Sequence, residues 1–352
     1  MTAPKVILIV RLSAMGDLVM ASGFAQAIRQ SHPQARVFWL VQAGFEPIVE
    51  AISGVDHVIV WPRAEWTRLW RSRQWLALWR AIRTFRDELR ALQIDWAIDL
   101  QGLLKSGLLA RLSGAKRQTS LGGKEGSSWL SNDVVSRGTD RVLQRAVMGA
   151  EYAELAGHLG FCSPKDVRPA LFVPERSQQP LSQFLQSMQL EPGRFVVVAP
   201  FTTRPQKHWP EEHWRALLQI WSAQLPLDTL VMLGGPGDSE TSRRMAQDFP
   251  TVRNLVGSTP LSLSLGVLSA ARVVIGVDTG LTHAAQALGV PTVALFGSTI
   301  PYHQQLHSQV EILWKGLSCS PCRRHPTCNG RFDCLRLISP LEVFHAATRV
   351  SA

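Results

Sequence analysis

The hydrophobic pattern alternates between short aliphatic runs and amphipathic stretches. Lys5–Val10 is an aliphatic run ending in the turn-prone Ser13-Ala14-Met15-Gly16-Asp17, and a helical pattern over Leu18–Arg29 follows. That reads as strand, tight loop, helix. The unit recurs: Arg36–Val41 predicts a strand, Gly44–Ser53 a helix and His57–Trp61 another strand. Trp75, Leu78, Ile82, Phe85, Leu89 and Leu92 recur at spacings of three and four, which predicts an amphipathic helix. Trp96–Leu100, closed by Gln101-Gly102, is the next strand, and Ala146–Leu159 is helical. A second series starts at Phe195–Ala199 and continues with helix Glu211–Gln224, strand Thr229–Leu233 and helices Ser239–Phe249 and Leu261–Ala271. Strand Val273–Val277, helix Leu281–Leu288 and strand Thr292–Phe296 complete it. Strands alternating with helices argue for parallel sheets covered on both faces. The expectation is two α/β domains, residues 1–175 and 176–352, joined near the Pro/Ser/Gln-rich Pro174–Pro180. Ligands then belong in a cleft at the carboxyl ends of the strands, with room for the last helix to pack back on the first domain.

Composition narrows the classes. The 352 residues are 45% hydrophobic and 18% charged, which excludes a disordered chain, a coiled coil and a small disulfide scaffold. The longest apolar runs, such as Val6–Val10, fall far short of the roughly 18 residues of a membrane span. Met1–Val10 is also too short to read as a signal peptide, and Arg11 follows it directly, so the expected compartment is the cytoplasm. Charge changes the picture more: 37 basic against 27 acidic residues give +10, which invites nucleic acid, an anionic membrane surface or a phosphorylated substrate. The excess concentrates between Arg63 and Arg90, where eight arginines (63, 68, 71, 73, 80, 83, 86, 90) face only Glu65, Asp87 and Glu88. Trp61, Trp66, Trp70, Trp75 and Trp79 sit in or beside the same stretch.

Four loops at expected strand ends carry candidate chemistry. In Ser13-Ala14-Met15-Gly16-Asp17, small residues let the backbone approach a ligand. Asp17 there is either a general base or an acid favoured by a helix dipole. The loop lacks the GxGxxG spacing of a dinucleotide fingerprint. Thr202-Thr203-Arg204-Pro205-Gln206-Lys207-His208-Trp209-Pro210 offers hydroxyls and Lys207 to a phosphate, with Pro210 opening the next helix. An ordinary surface loop with Trp209 packed down is the competing reading. Gly234-Gly235-Pro236-Gly237-Asp238 permits close ligand approach and offers Asp238 to a ribose hydroxyl pair, or is a plain turn with an N-cap. In Gly276-Val277-Asp278-Thr279-Gly280-Leu281-Thr282-His283, the N–H groups of Thr279, Gly280 and Leu281 at a helix start make an anion site. Asp278 can cap that helix, Thr279 adds a hydroxyl and His283 lies one turn in; a capped helix with a buried histidine is the plain alternative.

In combination, Asp278–His283, Lys207-His208-Trp209-Pro210-Glu211-Glu212-His213-Trp214, Ser13–Asp17 and Asp99-Leu100-Gln101-Gly102-Leu103-Leu104-Lys105-Ser106 resemble the ADP-heptose:lipopolysaccharide heptosyltransferases of glycosyltransferase family 9. The resemblance runs over nearly the whole chain, and Thr-Thr-Arg-x-x-Lys-His-Trp looks most like the heptosyltransferase I branch. It implies the GT-B fold, two Rossmann-like domains facing a central cleft, with acceptor on the first and nucleotide sugar on the second. It implies Asp17 as the catalytic base and Lys207, with Thr202 and Thr203, as the contact to the donor phosphates and departing ADP. Asp278, Thr279, Gly280 and His283 match the segment that holds diphosphate and heptose. Asp238 aligns with a ribose-binding position that is glutamate in the heptosyltransferase I pattern, and Ala14 replaces a serine. Ser13, Met15 and Gly16, with Lys105, Lys116 and Arg117, are expected on the acceptor side, with Lys124 near them.

The implied donor is ADP-L-glycero-D-manno-heptose, and the implied acceptor is Kdo–lipid A or an already heptosylated core. The implied reaction inverts the anomeric centre in one displacement. Helix N-termini and Lys207 can stabilise departing ADP without a metal, no Asp-x-Asp clamp occurs in the chain, and no cofactor beyond the donor is expected. The arginines and tryptophans of residues 61–90 then suit peripheral attachment to an anionic inner leaflet. Cys319, Cys322, Cys328 and Cys334, spaced Cys-x2-Cys-x5-Cys-x5-Cys, depart from the heptosyltransferase I pattern. Reduced structural thiols are expected there, with zinc or iron as the alternative. A nucleotide-sugar epimerase on the same architecture and, on charge alone, a nucleic-acid-binding protein are the rival readings; no nucleic acid partner is expected.

Overall fold

Five consecutive aliphatic residues, Val6–Val10, form β1, and all five side chains are buried. A strand without a polar face needs cover on both sides, which parallel sheets obtain from crossover helices. The computed structural model describes residues 3–137, 147–302, 305–322 and 325–352. The chain forms two compact units, the first reaching Leu171 and the second running from Phe172 to Ala352. In the first, β2 (Arg36–Gln42), β3 (His57–Trp61), β4 (Trp96–Asp99), β5 (Arg117–Leu121) and β6 (Asp133–Val135) join β1. All are parallel, in the order β3-β2-β1-β4-β5-β6. Its helices are α1 (Met15–Met20), α2 (Gly23–Ser31), α3 (Glu46–Glu50), α4 (Arg63–Arg71), α5 (Trp75–Ala91), α6 (Leu104–Leu112) and α7 (Ala150–His158).

The second unit opens with α8 (Glu175–Ser187) and then alternates β7 (Phe195–Ala199), α9 (Glu211–Gln224), β8 (Thr229–Met232), α10 (Ser239–Ala246) and β9 (Val252–Asn254). It continues through α11 (Leu261–Ser269), β10 (Val273–Val277), α12 (Gly280–Ala287), β11 (Thr292–Phe296), β12 (Val310–Trp314), α13 (Asp333–Arg336) and α14 (Pro340–Val350). Its strands are parallel in the order β12-β11-β10-β7-β8-β9. Both sheets therefore have the Rossmann winding, which reverses direction between the first and fourth strands of each. Two such units define the GT-B fold. Register brings the carboxyl ends at each reversal together: Val10 lies opposite Asp99, and Ala199 opposite Gly276.

Four local expectations change. The single helix Leu18–Arg29 is two, broken at Ala21–Ser22. Ser22 Oγ accepts the Ala170 N–H at 2.9 Å, and a Cβ on Gly23 would lie 2.4 Å from the Arg168 carbonyl oxygen. The stretch Pro174–Pro180 is helical from Glu175 onward, and Pro180 lies inside α8. Its Ser and Gln residues form the outer face of a helix whose Leu185 is buried and whose Leu181 packs on Gly266. The last helix, α14, packs on α9 and on β10–β12 of its own unit. Of the expected helix Ala146–Leu159, Ala146 lies outside the described residues, and residues 147–149 are bend and turn, so α7 begins only at Ala150.

Candidate active site

In the first unit, the residue leaving β1 is Arg11, only 5% exposed. A buried guanidinium needs acceptors and a counter-charge. Arg11 donates to the Leu100 carbonyl at 3.2 Å, pairs with Asp17 Oδ2 at 2.5 Å and lies 5.9 Å from the Tyr152 ring centroid. Asp17 Oδ2 also accepts the Ala14 N–H at 3.3 Å, which ties off the start of α1 where Ala14 itself offers no cap. The Asp17 side chain is 40% exposed, and among the described residues its other oxygen, Oδ1, has no hydrogen-bond partner. Helix-terminus acid and exposed carboxylate are thus the same group. Ser13, Met15 and Gly16 are half-buried around it.

The neighbouring β4 loop is shaped by Asp99, whose carboxylate accepts from the Gln101 N–H at 2.8 Å, the Gly102 N–H at 3.1 Å and Ser106 Oγ at 2.9 Å. Burial raises the Asp99 pKa against the pull of those donors. Gln101 Oε1 in turn accepts the Leu12 N–H at 3.0 Å, bracing the β1 loop. Gly102 has φ +63°, and a Cβ there would lie 2.2 Å from the Leu121 carbonyl oxygen, so only glycine fits. Lys105 is half-buried; burial, then Arg63 and Arg11, push its pKa down. The structure therefore brings Asp17, Arg11 and Lys105 to one end of the sheet. Lys116 and Arg117 are not brought to that end. Both are exposed at the entrance to β5, and the Arg117 guanidinium stacks 3.5 Å from the Trp96 ring centroid at the amino end of β4. That is the opposite end of the strands, a strand length of roughly 13 Å away at about 3.3 Å per residue.

In the second unit the β7 and β10 loops meet. Lys207 Nζ lies 2.5 Å from Asp278 Oδ2, and His283 Nε2 lies 3.1 Å from Asp278 Oδ1. Thr299 Oγ1 also donates to Asp278 Oδ2. Burial would raise the Asp278 pKa, but the His283 hydrogen bond and charge, followed by Lys207, hold the carboxyl well below the ordinary range. The expected helix cap is corrected here: Thr279 is the N-cap residue of α12, no side chain caps it, and Asp278 is engaged by Lys207, His283 and Thr299. The first-turn N–H groups of α12 have no carbonyl to bond within the helix and remain available to an anion. Gly276 is required beneath this loop, because a Cβ there would lie 2.2 Å from Thr282 Oγ1, which donates to the Val277 carbonyl. The Tyr302 ring stands edge-on to His283, with centroids 5.9 Å apart.

The Lys207 loop is both packed and functional in shape. Trp209 is buried against Trp214 and donates from Nε1 to the Ile338 carbonyl at 3.0 Å, while His208 Nε2 donates to the Thr202 carbonyl at 2.8 Å. Thr202 is half-buried and Thr203 exposed. Asp238 Oδ2 accepts the Gly235 N–H at 3.0 Å, so it closes its own turn, and it lines a cavity of about 410 Å³ with Phe201, His208 and Arg336. The four clustered cysteines are free. Burial, then Cys322, Cys319 and Cys328, push the Cys334 thiol up to about 11. Among the described residues no group of three His, Cys, Asp or Glu side chains is placed to hold a metal. Arg323 and Arg324 lie outside the described residues. Residues missed from sequence are Arg11, Thr299 and Tyr302. Arg11 was detectable as a lone charge directly after a buried strand. Thr299 was detectable as a hydroxyl three residues beyond β11, while Tyr302 carried no local signal.

Each of the two Rossmann units carries a charged constellation at its winding reversal. The profile of glycosyltransferase family 9 (heptosyltransferase) matches residues 82–332, and the chain belongs to that family; it is a glycosyltransferase. Lipopolysaccharide heptosyltransferase 1 of Escherichia coli is 30% identical over 303 residues, covering 84% of this chain and 88% of that protein. The structure of E. coli heptosyltransferase WaaC with ADP-2-deoxy-2-fluoro heptose superposes with a TM-score of 0.73 at 25% identity, over 98% of this chain and 99% of that one. That of E. coli ADP-heptose lps heptosyltransferase II gives a TM-score of 0.77 at 23% identity over 98% of each chain and speaks for the fold.

Proposed function

We propose that this chain transfers heptose from ADP-L-glycero-D-manno-heptose to the Kdo–heptose inner core of lipopolysaccharide, with inversion at the anomeric carbon. The observation that carries the reading is the Lys207–Asp278–His283 constellation at the start of α12. It presents Lys207, whose side chain is 17% exposed, beside the first-turn N–H groups of α12, which suits a diphosphate. Family membership and the WaaC structure solved with an ADP-heptose analogue support heptose as the sugar.

The chemistry divides between the units. Asp17 takes the proton of an acceptor hydroxyl while that oxygen forms its bond to the anomeric carbon. The bond from that carbon to the phosphate oxygen breaks, and ADP leaves with the electron pair. Lys207 and the α12 N–H groups, with Thr202, Thr203, Thr279 and Gly280 around them, stabilise the charge that develops on ADP. Asp278 acts as a positioning residue: its carboxylate is engaged by Lys207, His283 and Thr299, and it fixes where the ammonium points. Arg11 plays the same part for Asp17. Asp238 stands next to a cavity that suits the nucleoside. Ser13, Met15, Gly16 and Lys105 face the acceptor. The acceptor is a membrane glycolipid, so the enzyme works as a peripheral protein at the cytoplasmic leaflet; no described helix is long and apolar enough to cross a membrane.

The test is a panel of nucleotide sugars against truncated lipopolysaccharide, read by ADP release and by the mass of the product. ADP release that requires acceptor, with one heptose added, is expected. Turnover of donor in the absence of acceptor, or transfer from a different nucleotide sugar in preference, overturns the reading.

A further inference from the structure

The five tryptophans of residues 61–79 separate into two groups. Trp61 is 8% exposed and meets Trp66 edge-on at 6.1 Å; Trp66 meets Phe85 at 5.5 Å, so these two belong to the core. Trp70, Trp75 and Trp79 are 62%, 50% and 55% exposed, and Leu76 is 62% exposed. These four cluster at the turn that joins α4 to α5. Trp70 and Trp75 lock edge to face across that turn with centroids 4.7 Å apart, and Trp79 follows one helical turn after Trp75. The buried side of the hairpin is built from other residues. It is held by Leu69, Leu78, Phe85 and Leu89, all buried.

The surroundings are cationic. Counting residues 63–90, eight arginines less three acids leave a net charge of +5. One of those acids, Asp87, is already shared by Arg83 and Arg86 at 3.8 and 2.8 Å. Arg83 lies 5.3 Å from the Trp79 ring centroid, and Arg68, Arg71, Arg73 and Arg80 are exposed around the tip. Indole rings standing proud of a ring of arginines match the interfacial layer of a bilayer, apolar below and anionic at the headgroups. Bases stacking on nucleic-acid binders use aromatics laid along a groove; here they crowd one protruding tip.

We infer that the α4–α5 hairpin is a membrane-docking element. Trp70, Trp75, Leu76 and Trp79 enter the headgroup region of an anionic bilayer, and the surrounding arginines hold the phosphates. The surface goes beyond the transfer reaction and stands without it, because it is read on vesicles that contain no lipopolysaccharide.

The full chain is floated with vesicles of phosphatidylcholine alone and of phosphatidylcholine with about one-third phosphatidylglycerol, at low and high salt. The wild type should bind the anionic vesicles at least tenfold better than the neutral ones, with the preference reduced by salt. The combined change Trp70→Ser, Trp75→Ser, Leu76→Ser and Trp79→Ser should weaken anionic binding at least tenfold while melting temperature and turnover on a water-soluble core fragment stay at wild-type values. Arg80→Glu with Arg83→Glu, which leaves the rings in place, should produce a comparable loss at low salt. Any of four results overturns the inference: no binding of wild type to anionic vesicles, undiminished binding of the serine variant, binding of single-stranded oligonucleotide in place of vesicles, or a concentration-dependent dimer that the same substitutions disperse. Failure of the donor panel with intact vesicle binding would count against the proposed reaction alone.

Discussion

Replacing Asp278 with asparagine keeps the shape of the β10 loop and removes the charge that holds Lys207 and His283. The carboxylate is 9% exposed at the side chain, its partners are 17% and 5% exposed, and all lie in the second unit. Breaking a buried pair from one side costs about 3–5 kcal/mol. Lys207 keeps some access to water, so the lower end applies, about 3 kcal/mol. A unit of roughly 180 residues loses about 2–4 °C per kcal/mol, so thermal unfolding should fall by about 6–12 °C. Lys207→Met added to the Asp278→Asn variant should cost far less than in wild type, a coupling of roughly 2 kcal/mol in a double-mutant cycle. The pH dependence has a definite sign. A carboxyl held below its unfolded value contributes stability above about pH 4 and loses it as pH falls toward the folded pKa. The gap between wild type and variant should therefore be present at neutral pH and close under acid conditions below about pH 4. Circular-dichroism melts across pH measure it. A variant within 1 °C of wild type at neutral pH, or strictly additive single changes, would falsify the view that this ion pair organises the donor loop.

Asp17→Asn should lower kcat by about 10²–10⁴ at saturating acceptor with ADP affinity nearly unchanged, the signature of a base used only in the transition state. Turnover above a third of wild type would show that the proton leaves by another route. Lys207→Ala should weaken ADP far more than adenosine in calorimetry, since the lost contact is to phosphate; equal losses would make Lys207 a structural residue. Cys334, with a pKa of about 11, should carry roughly a thousandth of its thiol as thiolate near pH 8, and peptide mapping should find it alkylated at least a hundredfold more slowly than exposed Cys319. Because that pKa is raised, its contribution to stability is full below about pH 8.5 and lost as pH rises toward 11. Comparable labelling rates for the two cysteines would refute the burial argument.

Much of the winding was legible because its central strands are unmistakable. β7, β10 and β11 begin and end where the predicted runs do, since a strand buried on both faces is almost wholly apolar. β5 was not legible. Its sequence, Arg-Gln-Thr-Ser-Leu, reads as a polar loop, yet Gln118, Thr119 and Ser120 are buried. Thr119 has a partner that only the fold supplies, its Oγ1 accepting from Trp96 Nε1 at 3.0 Å, whereas Ser120 Oγ and Gln118 Nε2 donate to nearby carbonyls, of Gly122 at 2.8 Å and Ala115 at 2.9 Å. The same limit explains Lys116 and Arg117. Their charge was visible, but which end of the sheet they occupy depends on the direction of a strand that the pattern did not reveal. The local sequence reads Asp278 as a helix cap, because its partners Lys207 and Thr299 are 71 and 21 residues distant. The helix break at Ser22 has the same origin, a contact with Ala170 across 148 residues.

The two units solve one problem with opposite signs. In each, the chain leaving the first strand is braced by the loop leaving the fourth, because the winding reversal sets those two carboxyl ends side by side. In the first unit the β4 loop braces a cation: Arg11 donates to the Leu100 carbonyl and is then neutralised by Asp17, leaving a carboxylate as the exposed member. In the second the β10 loop braces a cation with an anion: Asp278 anchors Lys207, leaving an ammonium as the more exposed member next to the α12 N–H groups. A carboxylate presented to solvent can accept a proton; an ammonium beside a helix N-terminus can hold a leaving diphosphate. The fold thus explains where each constellation lies, and the more exposed member, Asp17 in one unit and Lys207 in the other, fits the half of the proposed reaction assigned to it.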